Sequence, residues 1–155
     1  MTGSSRSLHR IVYYSRQTEA VMADLDLQVR NIIQRSIHNN RIDDLTGLLI
    51  TIQGCFVQAL EGPAAAVQTT YGRILNDNRH TNVTVIHAGP ADQRLFADWN
   101  MCARAIAPSD AEILDVIDSR GAFEASRLTT KGSIRLLTTV ADIQRRTAGA
   151  ALMAR

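Results

Sequence analysis

Hydrophobic positions along the chain change their period several times, and each change marks an element. Residues 8–15, LHRIVYYS, are rich in β-branched and aromatic side chains and run into the polar stretch 16–19, which predicts a first strand. Leu25, Val29, Ile32, Ile33 and Ile37 then recur at helical spacing. Asp24 and Asp26 suit the positive end of that helix, and the polar His38-Asn39-Asn40 is expected to stop it. Residues 46–52 are an apolar run, and Gln53-Gly54 separates them from CFVQALE, so the two segments are expected to pair as a hairpin. Gly62-Pro63 breaks the second strand and opens a helix with Val67, Tyr71, Ile74 and Leu75 on one face, ending within 76–79. VTVIH at 83–87 reads as a strand, and 101–106 as another after the loop 88–98.

The order β-α-β-β-α-β-β is an α+β, ferredoxin-like plan with one additional strand and both helices on one face of the sheet. The other face needs cover. Pro108-Ser109-Asp110 can start a short helix carrying Ile113, Leu114, Val116 and Ile117, with Gly121 as its stop. Ser133 can cap a further helix whose Leu136, Leu137, Val140 and Ile143 share a face. These helices are expected to pack across the open face. The chain thus divides into a disordered N-terminus at 1–7, a domain at 8–106 and a helical extension at 107–155 with a frayed tail.

A chain of 155 residues suits one domain with a small appendage, since domains usually hold roughly 100 to 200 residues. Hydrophobic residues at 45% and charged residues at 21% exclude wholesale disorder. Lys+Arg 17 against Asp+Glu 15 leaves a net charge of +2, so neither direct nucleic-acid binding nor membrane attachment is expected. Lys131 is the only lysine and sits in a polar setting, which argues against Schiff-base chemistry. Cys55 and Cys102 are too few and too far apart for a disulfide framework, and the N-terminus lacks an apolar signal region. Both features point to buried thiols and a cytoplasmic protein.

Gln58 is the most informative residue, because strand alternation sets its amide on the same face as Phe56 and Leu60. A buried amide without a partner costs about 1 to 3 kcal/mol, so another polar group should meet it. In the ferredoxin-like plan the first and third strands are neighbours, which makes Tyr13 the natural partner. The pair is either a structural hydrogen bond or a functional one. Asn39 and Asn40 read by default as a C-terminal stop, and Arg73 and Asp77 as an exposed i,i+4 ion pair on the second helix. Trp99 and Met101 read as core filling. The four histidines have no metal-ligand spacing, and there is neither a Ser/His/Asp set nor a glycine-rich phosphate loop.

Several pieces in order resemble the BLUF domain, a blue-light sensor that uses a flavin, across residues 8–105. They are Tyr13-Tyr14-Ser15, Asn39-Asn40 followed by Leu45-Thr46-Gly47-Leu48-Leu49, Phe56-Val57-Gln58-Ala59-Leu60-Glu61-Gly62, Arg73 to Asp77 with Arg79-His80, and Trp99-Asn100-Met101. The resemblance implies a flavin, FAD or FMN, between the two helices, with Ile32 and Ile74 flanking its ring. Asn40 would bind the polar edge of the ring, assisted by Asn39 and Arg73, with Asp77 orienting Arg73. Gln58 would bridge the flavin and Tyr13. In the family, light drives an electron and a proton from the tyrosine through the glutamine. The glutamine is left rearranged, and Trp99 and Met101 would relay the change. Tyr13 rather than Tyr14 matches the family's Tyr-x-Ser order.

No catalytic output domain is expected after residue 106, so the chain resembles short members that signal to a separate protein partner, and a homo-oligomer is expected. Two other readings of the fold are an RNA-binding module stacking bases on Tyr13, Tyr14 and Phe56, and an acyl-phosphate hydrolase recruiting Arg73 and Asn40. Gln58 and the near-neutral charge argue against the first, and the missing phosphate loop against the second.

Overall fold

A computed structural model describes residues 7–107, 109–116 and 123–147. Strand β1 (Leu8–Gln17) leads into a short helix α1 (Glu19–Ala23) and the long helix α2 (Leu25–Asp43). Strands β2 (Thr46–Ile52) and β3 (Cys55–Pro63) follow, then α3 (Ala64–Leu75), β4 (His80–Pro90) and β5 (Cys102–Ala105). Helices α4 (Ala111–Val116) and α5 (Thr130–Arg146) close the chain, with a 3₁₀ turn at Ala125–Arg127 between them. The sheet order is β4-β1-β3-β2-β5; all neighbours are antiparallel except the added β2–β5 pair. Its first four strands are the ferredoxin-like sheet.

Local chemistry explains the boundaries. Gln53 (φ 43°) and Gly54 (φ 79°) both take the left-handed region, the two-residue turn that matches strand twist in a hairpin. Helix α1 was not anticipated: Thr18 caps it by accepting from Val21 N, and the backbone of Asp24 breaks it from α2. Helix α2 does not stop at His38-Asn39-Asn40. It runs one turn further to a left-handed Asp44 (φ 58°), because the Asn40 side chain is buried in tertiary contacts rather than spent on capping. Helix α5 is capped by Thr129, whose hydroxyl accepts from Gly132 N at 2.9 Å. Ser133 lies inside that helix and donates to Thr130 O instead. The expected N-terminal disorder over 1–6, the helix start at Pro108, Ile117, the stop at Gly121 and the tail 148–155 lie outside the described residues.

Strand alternation sorts two cores. Ile11, Leu49, Phe56 and Leu60 pack with Ile33 of α2 and Val67 of α3. Val12, Ile50, Val57 and Ala59 point the other way, against Ile113 of α4 and Leu136, Leu137 and Val140 of α5. The appended helices therefore cover the open face within the same chain. Glu61, fully buried, ties the β4–β5 connection to this sheet: its carboxylate accepts from Arg10 Nε at 2.8 Å and from the peptide nitrogens of Leu95 and Phe96. Three donors on one carboxylate repay its desolvation.

Leu137 is fully buried under the sheet, so Leu137→Ala should cost about 2 to 5 kcal/mol of folding stability. Chemical denaturation checks this; a loss below about 0.5 kcal/mol would mean that α5 does not hold the second core together.

Candidate functional site

Between α2, α3 and the sheet lies a cavity of about 620 Å³, within the size range of small-molecule and cofactor sites. Helix α2 presents Ile32, Arg35, Ser36, Asn39 and Asn40 to it, a stripe at helical spacing. Helix α3 and the turn behind it present Thr70, Arg73, Ile74, Asp77, Arg79 and His80. The floor is Tyr13, Leu49, Phe56, Gln58, Leu60 and Met101. Every candidate residue from the sequence except Trp99 lines this one cavity.

Tyr13 and Gln58 face each other directly in the β1–β3 register and are 1% and 4% exposed. The Tyr13 hydroxyl donates to Gln58 Oε1, and Gln58 Nε2 donates to Met101 Sδ at 3.4 Å. The amide thus uses its acceptor and its donor on opposite neighbours, as the sequence demanded of a carboxamide in an apolar face. Tyr14 points to the other side and packs into the α4–α5 core. Gly47 makes room for Met101: a Cβ there would lie 2.2 Å from Ala59 O and 3.0 Å from Met101 Cε.

Trp99 lies outside the cavity. It belongs to the α4–α5 core, with the Arg145 guanidinium 5.3 Å from its ring centroid, while Met101 sits in the cavity floor. The segment before β5 turns at Phe96–Trp99 (Trp99 N to Phe96 O, 3.4 Å), so strand parity does not extend back from Met101 to Trp99. Asp77 departs from the expected i,i+4 ion pair with Arg73. It lies beyond the last residue of α3, out of i,i+4 reach of Arg73, and binds Arg79 through its backbone nitrogen and its guanidinium (Nη2 to Oδ2, 2.6 Å). Arg73 instead approaches Asp43 at 3.9 Å. Asn40 Nδ2 donates to Asn100 O at 2.8 Å, and Asn100 Nδ2 to Leu45 O at 3.0 Å, which joins the end of α2 to the entry of β5.

Burial pushes the Tyr13 phenol well above its ordinary range, reinforced by the charge of Asp77 and by Tyr71, so the ring carries its proton in the resting protein. Burial pushes the Asp77 carboxyl upward, but the Arg79 hydrogen bonds and charge outweigh it and hold it below the usual carboxylate range. His80 is depressed, first by burial, against the opposing pull of its bond to the Ile74 carbonyl. Because that carbonyl can only accept, Nε2 carries the proton, and Nδ1 accepts from Ser15 Oγ at 2.9 Å.

Sequence reasoning assigned no role to Arg35, Ser36, Thr70, Asn76, Asn78, Arg79 or His80, all of which line the cavity. Arg35 and Ser36 were within reach of it, since they follow Ile32 by three and four positions on the same helix. The turn residues carry no periodic signal. Among the described residues, no group of His, Cys, Asp and Glu is placed to hold a metal ion, and no helix is long and apolar enough to cross a membrane.

An α+β sheet with a cavity between two helices, two isoleucines and many polar groups on its walls, and a hydrogen-bonded tyrosine and amide on its floor, has the architecture of a small-molecule-binding domain. The profile of a known family, BLUF, described as sensors of blue light using FAD, matches residues 8–102. The chain belongs to the BLUF family and is a blue-light sensor domain of the kind that binds FAD or FMN. It is 38% identical over 96 residues to the photoactivated adenylate cyclase subunit beta of Euglena gracilis, covering 61% of this chain and 11% of that protein. The chain thus spans about a tenth of the length of the curated relatives it matches. Among solved structures it resembles the photo-activated state of BlsA (TM-score 0.76, 22% identity, 85% of this chain and 93% of that one). It also resembles a bacterial light-regulated adenylyl cyclase (TM-score 0.63, 26% identity, 95% of this chain and 40% of that one). The RNA-binding alternative has no support: Tyr13 and Phe56 are 1% and 2% exposed beneath helices, where no base can stack.

His80 gives the site a pH signature. Its folded-state pKa lies below the ordinary 6.5, so below that pH the unfolded chain takes up a proton that the folded chain resists. Stability should be full above pH 6.5 and fall as pH drops through the folded pKa. Urea denaturation across this range should show a shallower acid slope in His80→Gln than in the native protein; identical slopes would mean that the imidazole is not held neutral.

Proposed function

We propose that Tyr13, Gln58 and Met101 are the light-responsive chain of this sensor and that the flavin ring lies between Ile32 and Ile74. Asn40 addresses the polar edge of the ring, with Asn39 and Arg73 beside it. The observation that carries the reading is the unbroken path from the Tyr13 hydroxyl through the Gln58 amide to Met101 on the floor of the cavity. The donor set suits the group: two aliphatic walls for a flat ring, and amides able to donate and accept at once for an edge with adjacent N–H and C=O groups. When bound, the flavin supplies blue-light absorption and a transient acceptor for one electron and one proton.

Tyr13 gives up an electron and its Oη proton, the proton passing through the Gln58 amide. Both return to Tyr13, and Gln58 is left rotated or tautomerised. Rotation turns Nε2 toward Tyr13 and Oε1 toward Met101, whose thioether has no proton to offer, so the Gln58–Met101 bond is lost. A single hydrogen bond of about 0.5 to 1.5 kcal/mol biases an equilibrium without completing a switch, so neighbouring packing must amplify it. Cys102 follows Met101 in the chain and accepts from Gln144 Nε2 of α5 at 3.3 Å, while Arg104 Nη1 donates to Gln144 Oε1 at 3.0 Å. Strand β5 thereby touches the light-responsive chain on one side and α5 on the other. Trp99, held beneath Arg145, belongs to the α5 side of that relay. The change is read by a separate protein partner at the helical extension, in a cytoplasmic homo-oligomer; the buried, unpaired Cys55 and Cys102 suit a reducing compartment.

Gln58→Leu should retain flavin and lose the light-induced red shift, measured as the absorption difference before and after a blue pulse. A full, reversible shift in that variant sinks the mechanism. Tyr13→Phe should abolish the photocycle and Tyr14→Phe should leave it, because Tyr14 lies in the opposite core; the reverse result would assign electron donation to the wrong side of β1.

A further inference from the structure

One side chain in the cavity has chemistry that these roles leave unused. Thr70 stands on the α3 stripe with Arg73 and Ile74, at positions i, i+3 and i+4, and lines the cavity. Its Oγ1 is buried and has no hydrogen-bond partner. Threonines inside helices ordinarily satisfy themselves by donating to the carbonyl one turn back. This protein does so in α5, where Thr138 Oγ1 donates to Ile134 O at 2.9 Å and Thr139 Oγ1 to Arg135 O at 2.8 Å. Thr70 makes no such bond. The other buried polar side-chain atoms without partners among the described residues, His9 Nδ1 and Arg104 Nε, do not line the cavity. A buried hydroxyl without a partner is unfavourable, and it persists where a ligand completes it.

We infer that Thr70 is a flavin-binding residue whose hydroxyl hydrogen-bonds the bound flavin, so that ligand binding supplies the partner that folding omits. The inference rests on the flavin site assigned above. The group recognised is a hydrogen-bonding oxygen or nitrogen, located either on the ring or on the ribityl chain. Thr70→Val is the discriminating substitution, since it keeps the β-branched shape and the helix propensity and removes only the hydroxyl.

The 155-residue protein, stripped of flavin, is titrated with riboflavin and with lumiflavin, which lacks the ribityl chain. Thr70→Val should bind riboflavin about fivefold more weakly than the native protein, and Thr70→Ser should bind it as the native protein does. An equal loss with lumiflavin assigns the contact to the ring; a loss confined to riboflavin assigns it to the ribityl chain. The flavin-free Thr70→Val protein should melt at or above the native temperature, because no protein bond is removed. Unchanged affinity for both flavins, or a lowered melting temperature without flavin, overturns the inference. A native protein that binds neither flavin overturns the underlying site reading instead.

Discussion

Everything at the site depends on the pairing of β1 with β3, which sets a phenol opposite a carboxamide in a face that also carries Ile11, Phe56 and Leu60. A slip of one residue in β3 would turn Gln58 into the α4–α5 core, and one in β1 would bring Tyr14 or Val12 to the cavity side. Burial forces the two polar groups to answer each other, and the amide's remaining donor reaches Met101. The same burial that makes an unpaired amide costly keeps the Tyr13 proton in place until something removes an electron. Structural necessity and chemical readiness coincide at this position.

The second constraint is the β4–β5 connection. Glu61 holds it through two of its peptide nitrogens, and Arg94 ties it to α2's end by donating to Asp44 O and Thr46 Oγ1. From this anchored segment the chain delivers Trp99 to one core and Met101 to the other within three residues. Gly47 is the counterpart on β2: its missing side chain lets Met101 reach the cavity floor. The placement of one thioether therefore draws on a buried carboxylate, an absent methyl and a turn.

Much of this was legible in the chain itself. The βαββαββ order, the hairpin at Gln53-Gly54 and the Tyr13–Gln58 pairing follow from alternation and from the rule that buried amides find partners. The misreadings share a physical cause: a local rule was applied where tertiary contacts decide. Asn39-Asn40 has the composition of a helix stop, yet Asn40 is 2% exposed and bonded to the Asn100 carbonyl sixty residues away, so the helix runs past it. Asp77 is four positions from Arg73, but α3 has already ended, and Arg79 is the nearer cation. Ser133 looks like a cap and is interior because Thr129 begins the turn earlier. Helix α1 is five residues long, too short for any period to show.

The fully buried strands β2 and the body of β3 carry one implication for how such a chain can be divided. The family pattern ends at residue 102, whereas the wall behind it, Val12, Val57 and Ala59, is sealed by side chains as far along as Val140 and Ala141. The span that defines kinship and the span that folds cooperatively are different lengths. A fragment cut at the end of the recognisable pattern would keep every residue of the slot and leave one face of its sheet bare to water, an adhesive surface rather than a minimal sensor.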